Sequence, residues 1–210
     1  MAATIEVNKQ SVEHFLRTGE SNPFVIPEYQ RPYAWEEEQV ETLFNDLFEF
    51  ACSIAGNDKK TTYFLGSIVS YENENGEQEI IDGQQRITTL FLLLRAIYTK
   101  LEDMKDSAER NNFIQKITPT LWPTDPYNGQ PDKNKILLES RVMNNRGNQI
   151  LNDILHTGQA DPKAKDNYSK NYRRLQELFQ RICQDEPMMI YRFIRSVLEQ
   201  AILLPITADT

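Results

Sequence analysis

Residues 79–100 constrain the fold more than any other stretch of this chain. Glu79 to Asp82 reads as a strand, Asp82-Gly83 as a tight turn, and Gln84 to Lys100 as a helix with a wide apolar face. Gly83 has no Cβ to block close backbone approach, which suits an abrupt strand-to-helix corner. Such a corner points free backbone N–H groups and the positive end of the helix dipole at one spot. Arg86 lies near that spot and adds a planar, permanently charged fork suited to phosphate or carboxylate. Asp82, Gln84 and Gln85 supply further polar atoms. Two readings stay open. One is an anion site with a carboxylate beside it, as a nucleotide phosphate with a bridging metal requires. The other is a plain helix start, with Asp82 as the cap and Arg86 paired to an acid.

The preceding segments place this corner at the end of a hairpin. Tyr63 to Tyr71 is rich in aromatic and β-branched residues and predicts a strand, Asn73 to Gly76 a turn, and Glu79 to Asp82 the return strand. Gly66 interrupts the first strand. It marks a bulge or close ligand approach, or only makes room for a neighbouring side chain. Upstream, Ile5 to Asn8 suggests a short strand. Ser11 is placed to cap a helix through Leu16, with Gly19 as its stop, and Phe24 to Pro27 is extended. Pro32 forces Arg31 into an extended backbone, so the loop Glu28 to Tyr33 presents that side chain stiffly. Val40, Leu43, Phe44, Leu47 and Phe48 recur at helical spacing and predict a helix over Glu36 to Ala51.

Downstream, residues 106–117 suggest another helix, and Thr118 to Pro131, rich in Pro, Gly, Asn and Asp, suggests a linker. A two-part chain is therefore expected, 1–117 and 118–210. The second part predicts a short strand at Lys135 to Glu139 and a helix from Asn148 to Leu155 ended by Gly158. Two good helices follow at Tyr168 to Cys183 and Pro187 to Leu198, and a final strand starts at Ala201. The expected class is α+β. A strand so close to Asp209-Thr210 leads us to expect truncation at the C-terminus.

Charge bounds the partners. Of the 210 residues, 1–105 carry 9 Lys/Arg and 18 Asp/Glu, and 106–210 carry 14 and 13. The acidic first half argues against a chain that coats nucleic acid by charge alone. Arg173, Arg174, Arg181, Arg192 and Arg195 give the second half a DNA or partner face at most, with a solvated face favoured. Two isolated cysteines, Cys52 and Cys183, fit a reducing cytoplasm. The longest apolar run, Leu90 to Leu94, is far too short for a membrane span. His14 and His156 read as surface or boundary residues, and this chain offers no His/Cys cluster for a zinc or HNH-type nuclease centre.

Three segments taken together resemble one family. IPEYQRPYAWEEEQVETLFNDL at 26–47, YFLGSIV at 63–69 and IIDGQQRITTLFLLL at 80–94 are similar to the N-terminal (DUF262) domain of GmrSD-type restriction proteins, in the ParB/sulfiredoxin-like superfamily. The first half carries the resemblance strongly, and the second only in general character. The resemblance implies a small ParB-like α/β core followed by helices, and a role in phage defence by restricting DNA with modified bases or backbones. It implies that the DGQQR segment binds and hydrolyses a nucleoside triphosphate with Mg²⁺, where GTP, UTP, CTP and ATP all stay open. Cleavage would belong to an HNH-type (DUF1524) nuclease domain, in the same chain or on a partner. No membrane partner is implied, and an oligomer is compatible. The family's Phe…Asn-Arg-Gly pattern would follow the last residue, and Asn145-Arg146-Gly147 comes too early to stand for it.

On that basis Gly83, Gln84 and Arg86 would hold phosphate oxygens, and Arg31 would approach from the opposite side. Gln84 or Gln85 would orient a water, and Asp82 would hold the metal. Tyr29, Gln30, Gly66 and Thr88 complete the expected nucleotide site, with Thr89 more simply facing the core. Tyr29, Tyr33 and Trp35 could stack a base or a nucleotide of DNA, although core packing is the commoner use of such a trio. A module that senses modified DNA or nucleotide without hydrolysis is the alternative. A nuclease in its own right is the weakest reading.

Overall fold

The computed structural model describes residues 8–54, 58–142 and 146–208. The strand predicted at Ile5 to Asn8 falls almost wholly outside them, as do Gly56, Asn145 and the last two residues. A six-stranded mixed sheet runs in the order β1-β6-β3-β4-β2-β5. Its strands are β1 (Gln10–Ser11), β2 (Phe24–Ile26), β3 (Tyr63–Glu72), β4 (Gln78–Asp82), β5 (Leu138–Ser140) and β6 (Ala201–Thr207). Among the described residues the helices are α1 (Val12–Arg17), α2 (Glu37–Ser53), α3 (Gln84–Asp103), α4 (Ala108–Leu121), α5 (Gly147–Thr157), α6 (Asn167–Asp185) and α7 (Ile190–Arg195). The class is α+β.

The sheet pairing positions the site. β4 is antiparallel to β3, as a hairpin requires, and parallel to β2, with Phe24 opposite Gln78 and Val25 opposite Glu79. The C-terminal ends of β2 and β4 therefore leave the sheet on the same edge. The loop after β2 and the turn after β4 meet there. From the second half of the chain, β5 pairs with β2 at one edge of this sheet and β6 lies between β1 and β3.

α3 is the central helix. Ile87, Leu90, Phe91, Leu92, Leu93, Leu94 and Ile97 are each 0% exposed, and it packs against α4, α5 and α6. A helix apolar around most of its girth has to be enclosed.

Four elements differ from the sequence expectation. α4 continues to Leu121 through Pro119, because Ile117, Leu121 and Trp122 are buried in the core, and that burial outweighs the composition of the loop. Gly19 lies within a 3₁₀ turn, Thr18–Glu20, and does not stop α1. A Cβ there would lie 2.8 Å from the Phe24 ring, so close packing demands the glycine. β5 forms three residues later than expected because its register is set by β2, with Phe24 opposite Leu138 and Ile26 opposite Ser140. The last predicted helix splits into a 3₁₀ turn, α7 and a π-turn, Ser196–Gln200. The wide turn lets Gln200 donate to the Asp58 and Thr61 carbonyls at 2.9 and 3.2 Å.

Arg141, just past β5, clamps Glu77, just before β4, with bonds of 2.9 and 2.7 Å, and also reaches Glu139 at 2.7 Å. The Arg141 fork, then Asn73, hold the Glu77 carboxyl down at about 2 from the usual 4.5. A depressed acid stabilises the folded state above its unfolded pKa and loses that contribution as pH falls through the folded value. We expect an Arg141-dependent loss of stability between about pH 4.5 and 2. It should be small, about 0.2–1 kcal/mol, because the pair is solvated and screened. Acid unfolding of Glu77→Gln beside the unsubstituted chain, at low and high salt, measures it. Identical pH profiles would remove the clamp's role.

Candidate functional site

α3 opens at Gly83, whose backbone is left-handed at φ +92°. A Cβ at Gly83 would sit 2.4 Å from Ile68 Cδ1 and 3.2 Å from the Ser67 carbonyl oxygen. Only glycine lets the chain turn this tightly against β3. No side chain caps this end of α3. Asp82 is exposed and does not serve as the cap, so the first N–H groups of the helix keep no protein partner from a side chain.

Arg86 is half-buried. Its Nη1 donates to the Ser67 carbonyl at 3.0 Å, and among the described residues no carboxylate pairs with it. Both parts of the plain helix-start reading are thereby corrected. Gly66 explains how Arg86 fits. A β-bulge falls between Phe64 and Gly66, and a Cβ at Gly66 would lie 2.9 Å from Arg86 Nη1 and 3.0 Å from its Cζ. Gly66 thus makes both a bulge and a berth for the guanidinium, at φ +124°.

The loop after β2 is tied to this corner by glutamines. Gln30 donates to the Ile81 carbonyl at 3.0 Å and accepts from Gln84 Nε2 at 3.1 Å. Gln85 is committed entirely to the loop. Its Oε1 accepts from the Ala34 and Trp35 N–H groups at 2.7 and 3.1 Å, and its Nε2 donates to the Pro32 carbonyl at 3.2 Å. Gln84 differs, since its carbonyl oxygen makes no hydrogen bond to the described residues. Arg31 is exposed, follows Gln30 directly, and pairs with no acid among the described residues.

The aromatic trio divides. Tyr33 is core, 7% exposed and stacked on Tyr168 with ring centroids 4.9 Å apart. Burial pushes its phenol well above the usual range. Tyr29 is 65% exposed, and Trp35 is half-buried at a cleft beside Arg86. Thr89 faces the core, where its hydroxyl donates to the Gln85 carbonyl and accepts from Tyr33 Oη at 2.7 Å. Thr88 is sealed at 1% exposure with an unpartnered hydroxyl, so it does not reach the open side of the corner.

One site residue is not among those read from the sequence. Asn171 on α6 is fully buried, and its Nδ2 donates to Tyr33 Oη at 3.1 Å and to the Trp35 carbonyl at 2.7 Å. It adds a second anchor, from α6, to the loop that Gln85 holds from α3. Its only sequence signal is a polar residue within the apolar stripe Tyr168, Tyr172, Leu175.

This corner, with its uncapped helix, half-buried arginine berth and glutamine-tied arginine loop, lies within a family match. The model of the GmrSD restriction endonuclease N-terminal domain matches residues 12–209. The chain belongs to that family. No curated protein matches the chain. The GmrSD assignment covers both halves, so the second half, similar in sequence only in general character, is part of the family domain. It places the chain among restriction proteins. In this GmrSD domain, two of the five arginines considered as a DNA or partner face are held by the domain itself. Arg173 donates to the Asp161 and Ala164 carbonyls, and Arg174 pairs with Glu41 at 2.6 Å and Glu177 at 2.9 Å. Among the described residues no helix is long and apolar enough to cross a membrane.

The Gln85 latch yields a direct test. Gln85→Ala removes three hydrogen bonds that span about 50 residues of sequence. At 0.5–1.5 kcal/mol each, we expect a loss of about 2–4 kcal/mol in urea unfolding. Faster proteolysis within residues 27–35 should accompany it. An unchanged cleavage rate would show that the loop is held by other contacts.

Proposed function

We propose that this domain binds a nucleoside triphosphate at the Gly83 corner, hydrolyses it, and thereby regulates DNA cleavage by a nuclease domain of the restriction system. The observation that carries the reading is the unpaired Arg86 guanidinium, berthed on Gly66 beside an uncapped helix start. An arginine kept half-buried with one carbonyl bond and no acid holds most of its five donors for something else. Phosphate oxygens match that fork bidentately, and the N–H groups of Gly83 and Gln84 add the helix-end contribution.

Arg31 neutralises charge developing on the transferred phosphoryl group, from a loop stiffened by Pro32 and anchored by Gln30. Gln84 orients the attacking water through its free carbonyl oxygen, because Gln85 is fully occupied in holding the loop. The water oxygen bonds to the terminal phosphorus as the bridging P–O bond breaks, which releases the nucleoside diphosphate and inorganic phosphate, with the water's proton passing to the products or solvent. Among the described residues no group of three His, Cys, Asp or Glu side chains could hold a metal by itself. Mg²⁺ commonly takes one or two carboxylates together with substrate phosphates and water. Exposed, uncommitted Asp82 fits as that single carboxylate, and the ion would supply further neutralisation of phosphate charge.

The test is thermal unfolding with Mg²⁺ and each of ATP, GTP, CTP and UTP, on the unsubstituted chain and Arg86→Ala. A ligand that binds only the native state raises the melting temperature. We expect a rise for the unsubstituted chain and none for Arg86→Ala. No rise with any triphosphate would turn attention to the binding of modified DNA.

A further inference from the structure

A cleft of about 330 Å³ opens between α2 and the start of β3, and Arg86 lies at its wall. Its chemistry is two-sided. Arg86 supplies the one positive group, whereas Glu38 and Asp46 on α2 supply two carboxylates, and Trp35, Tyr63 and Phe64 supply aromatic surface. An isolated cationic ligand would suit the acids but meet Arg86. An isolated anion would suit Arg86 but meet the acids. A ligand anionic at one end and rich in N–H donors at the other satisfies both.

Asp46 is the shaped element. It is half-buried, and Tyr63 Oη donates to its Oδ2 at 3.1 Å. Tyr63 is itself fixed, with its ring centroid 5.6 Å from that of Phe50. One carboxylate oxygen is thus engaged by Tyr63, and Oδ1 makes no hydrogen bond to the described residues. The Trp35 backbone is anchored at the cleft, its N–H donating to Gln85 and its carbonyl accepting from Asn171.

We infer that this cleft is the base-side subsite of the nucleotide bound at Arg86, and that Asp46 selects guanine. The inference rests on the nucleotide reading above. A carboxylate accepts two adjacent N–H donors best. Guanine offers them side by side at N1 and N2. Adenine and cytosine place a ring acceptor next to their amino group, and that acceptor would face Asp46. Uracil has one N–H flanked by two carbonyl oxygens, which Asp46 would repel. The cleft volume suits a nucleoside, which leaves the phosphates to run past Arg86 toward Gly83.

The experiment is calorimetric titration of the chain, with Mg²⁺, by GTP, ITP, XTP, ATP, CTP and UTP, repeated on Asp46→Asn and Arg86→Ala. A hydrogen bond to a charged group discriminates by about tenfold or more. GTP is expected to bind about tenfold tighter than ITP, which lacks the N2 donor, and tighter still than UTP. Asp46→Asn should weaken GTP about tenfold and strengthen XTP, whose C2 carbonyl accepts from the new amide. Tyr63 can still donate to that amide's oxygen, so the substitution preserves the packing. Equal binding of all triphosphates, lost in Arg86→Ala, would overturn guanine selection and leave the phosphate site standing. Tighter binding of UTP or ATP than GTP would do the same. No binding of any triphosphate would overturn both the subsite and the reading beneath it.

Discussion

Arg86→Ala is expected to abolish triphosphate turnover while the domain stays folded. Arg86 holds the phosphates in this reading, so losing its charged fork removes nucleotide binding and the turnover that depends on it together. The structural cost is far smaller. Arg86 gives the protein one hydrogen bond, to the Ser67 carbonyl on β3, and losing one such bond at a half-buried position costs about 1 kcal/mol. Phosphate release and urea unfolding, measured on the same preparation, separate the two effects. Arg86→Lys keeps the charge but loses the fork, so it should fall between. Normal hydrolysis by folded Arg86→Ala protein would sink the phosphate role. Gly66→Ala reaches the same group indirectly. Its Cβ would sit 2.9 Å from Arg86 Nη1, which displaces the guanidinium and should lower turnover without removing it.

Gly83→Val should produce the largest loss of stability from any single change at the corner. Two costs combine. A left-handed backbone at φ +92° is strained by about 1–2 kcal/mol for a residue with a side chain. The new Cβ would also overlap Ile68, whose Cδ1 would lie 2.4 Å away, and overpacking a filled core costs about 1–3 kcal/mol. The sum, roughly 2–5 kcal/mol, is a large part of the 5–15 kcal/mol that typically holds a domain folded. Gly76→Ala is the matched control. It shares the left-handed backbone at φ +75°, yet a Cβ there meets nothing within 4 Å. Urea unfolding should show Gly83→Ala costing clearly more than Gly76→Ala. Equal losses would mean that the corner is strained but not packed.

Both results bear on how the domain is put together. The corner has its tight, uncapped shape only because β4 ends against β3 at the depth where Ile68 and Ser67 lie. The loop bearing Arg31 faces it only because β2 runs parallel to β4. Gly83 and Gln85 thus hold the corner together, whereas Arg86, Arg31 and Asp82 carry charge there that no ion pair among the described residues takes up.

What the sequence by itself determined is local. Periodicity places α2, α3 and α6, the aromatic and β-branched runs place the β3–β4 hairpin, and Asp82-Gly83 before an apolar helix places the corner. Each depends on contacts within a few residues, so spacing along the chain carries the information. Only the tertiary structure decided which side chains of the site are free. Tyr33 and Trp35 are two residues apart, yet one is buried under Tyr168 and the other lines a cleft. Gln84 and Gln85 are adjacent and look equivalent in sequence, but Gln85 is consumed by a loop 51 residues away. Asn171 reaches Tyr33 across 138 residues. Pro119 sits inside α4 because the helix buries its far end. Such outcomes follow from pairing and burial between distant segments, which no local pattern of residues encodes.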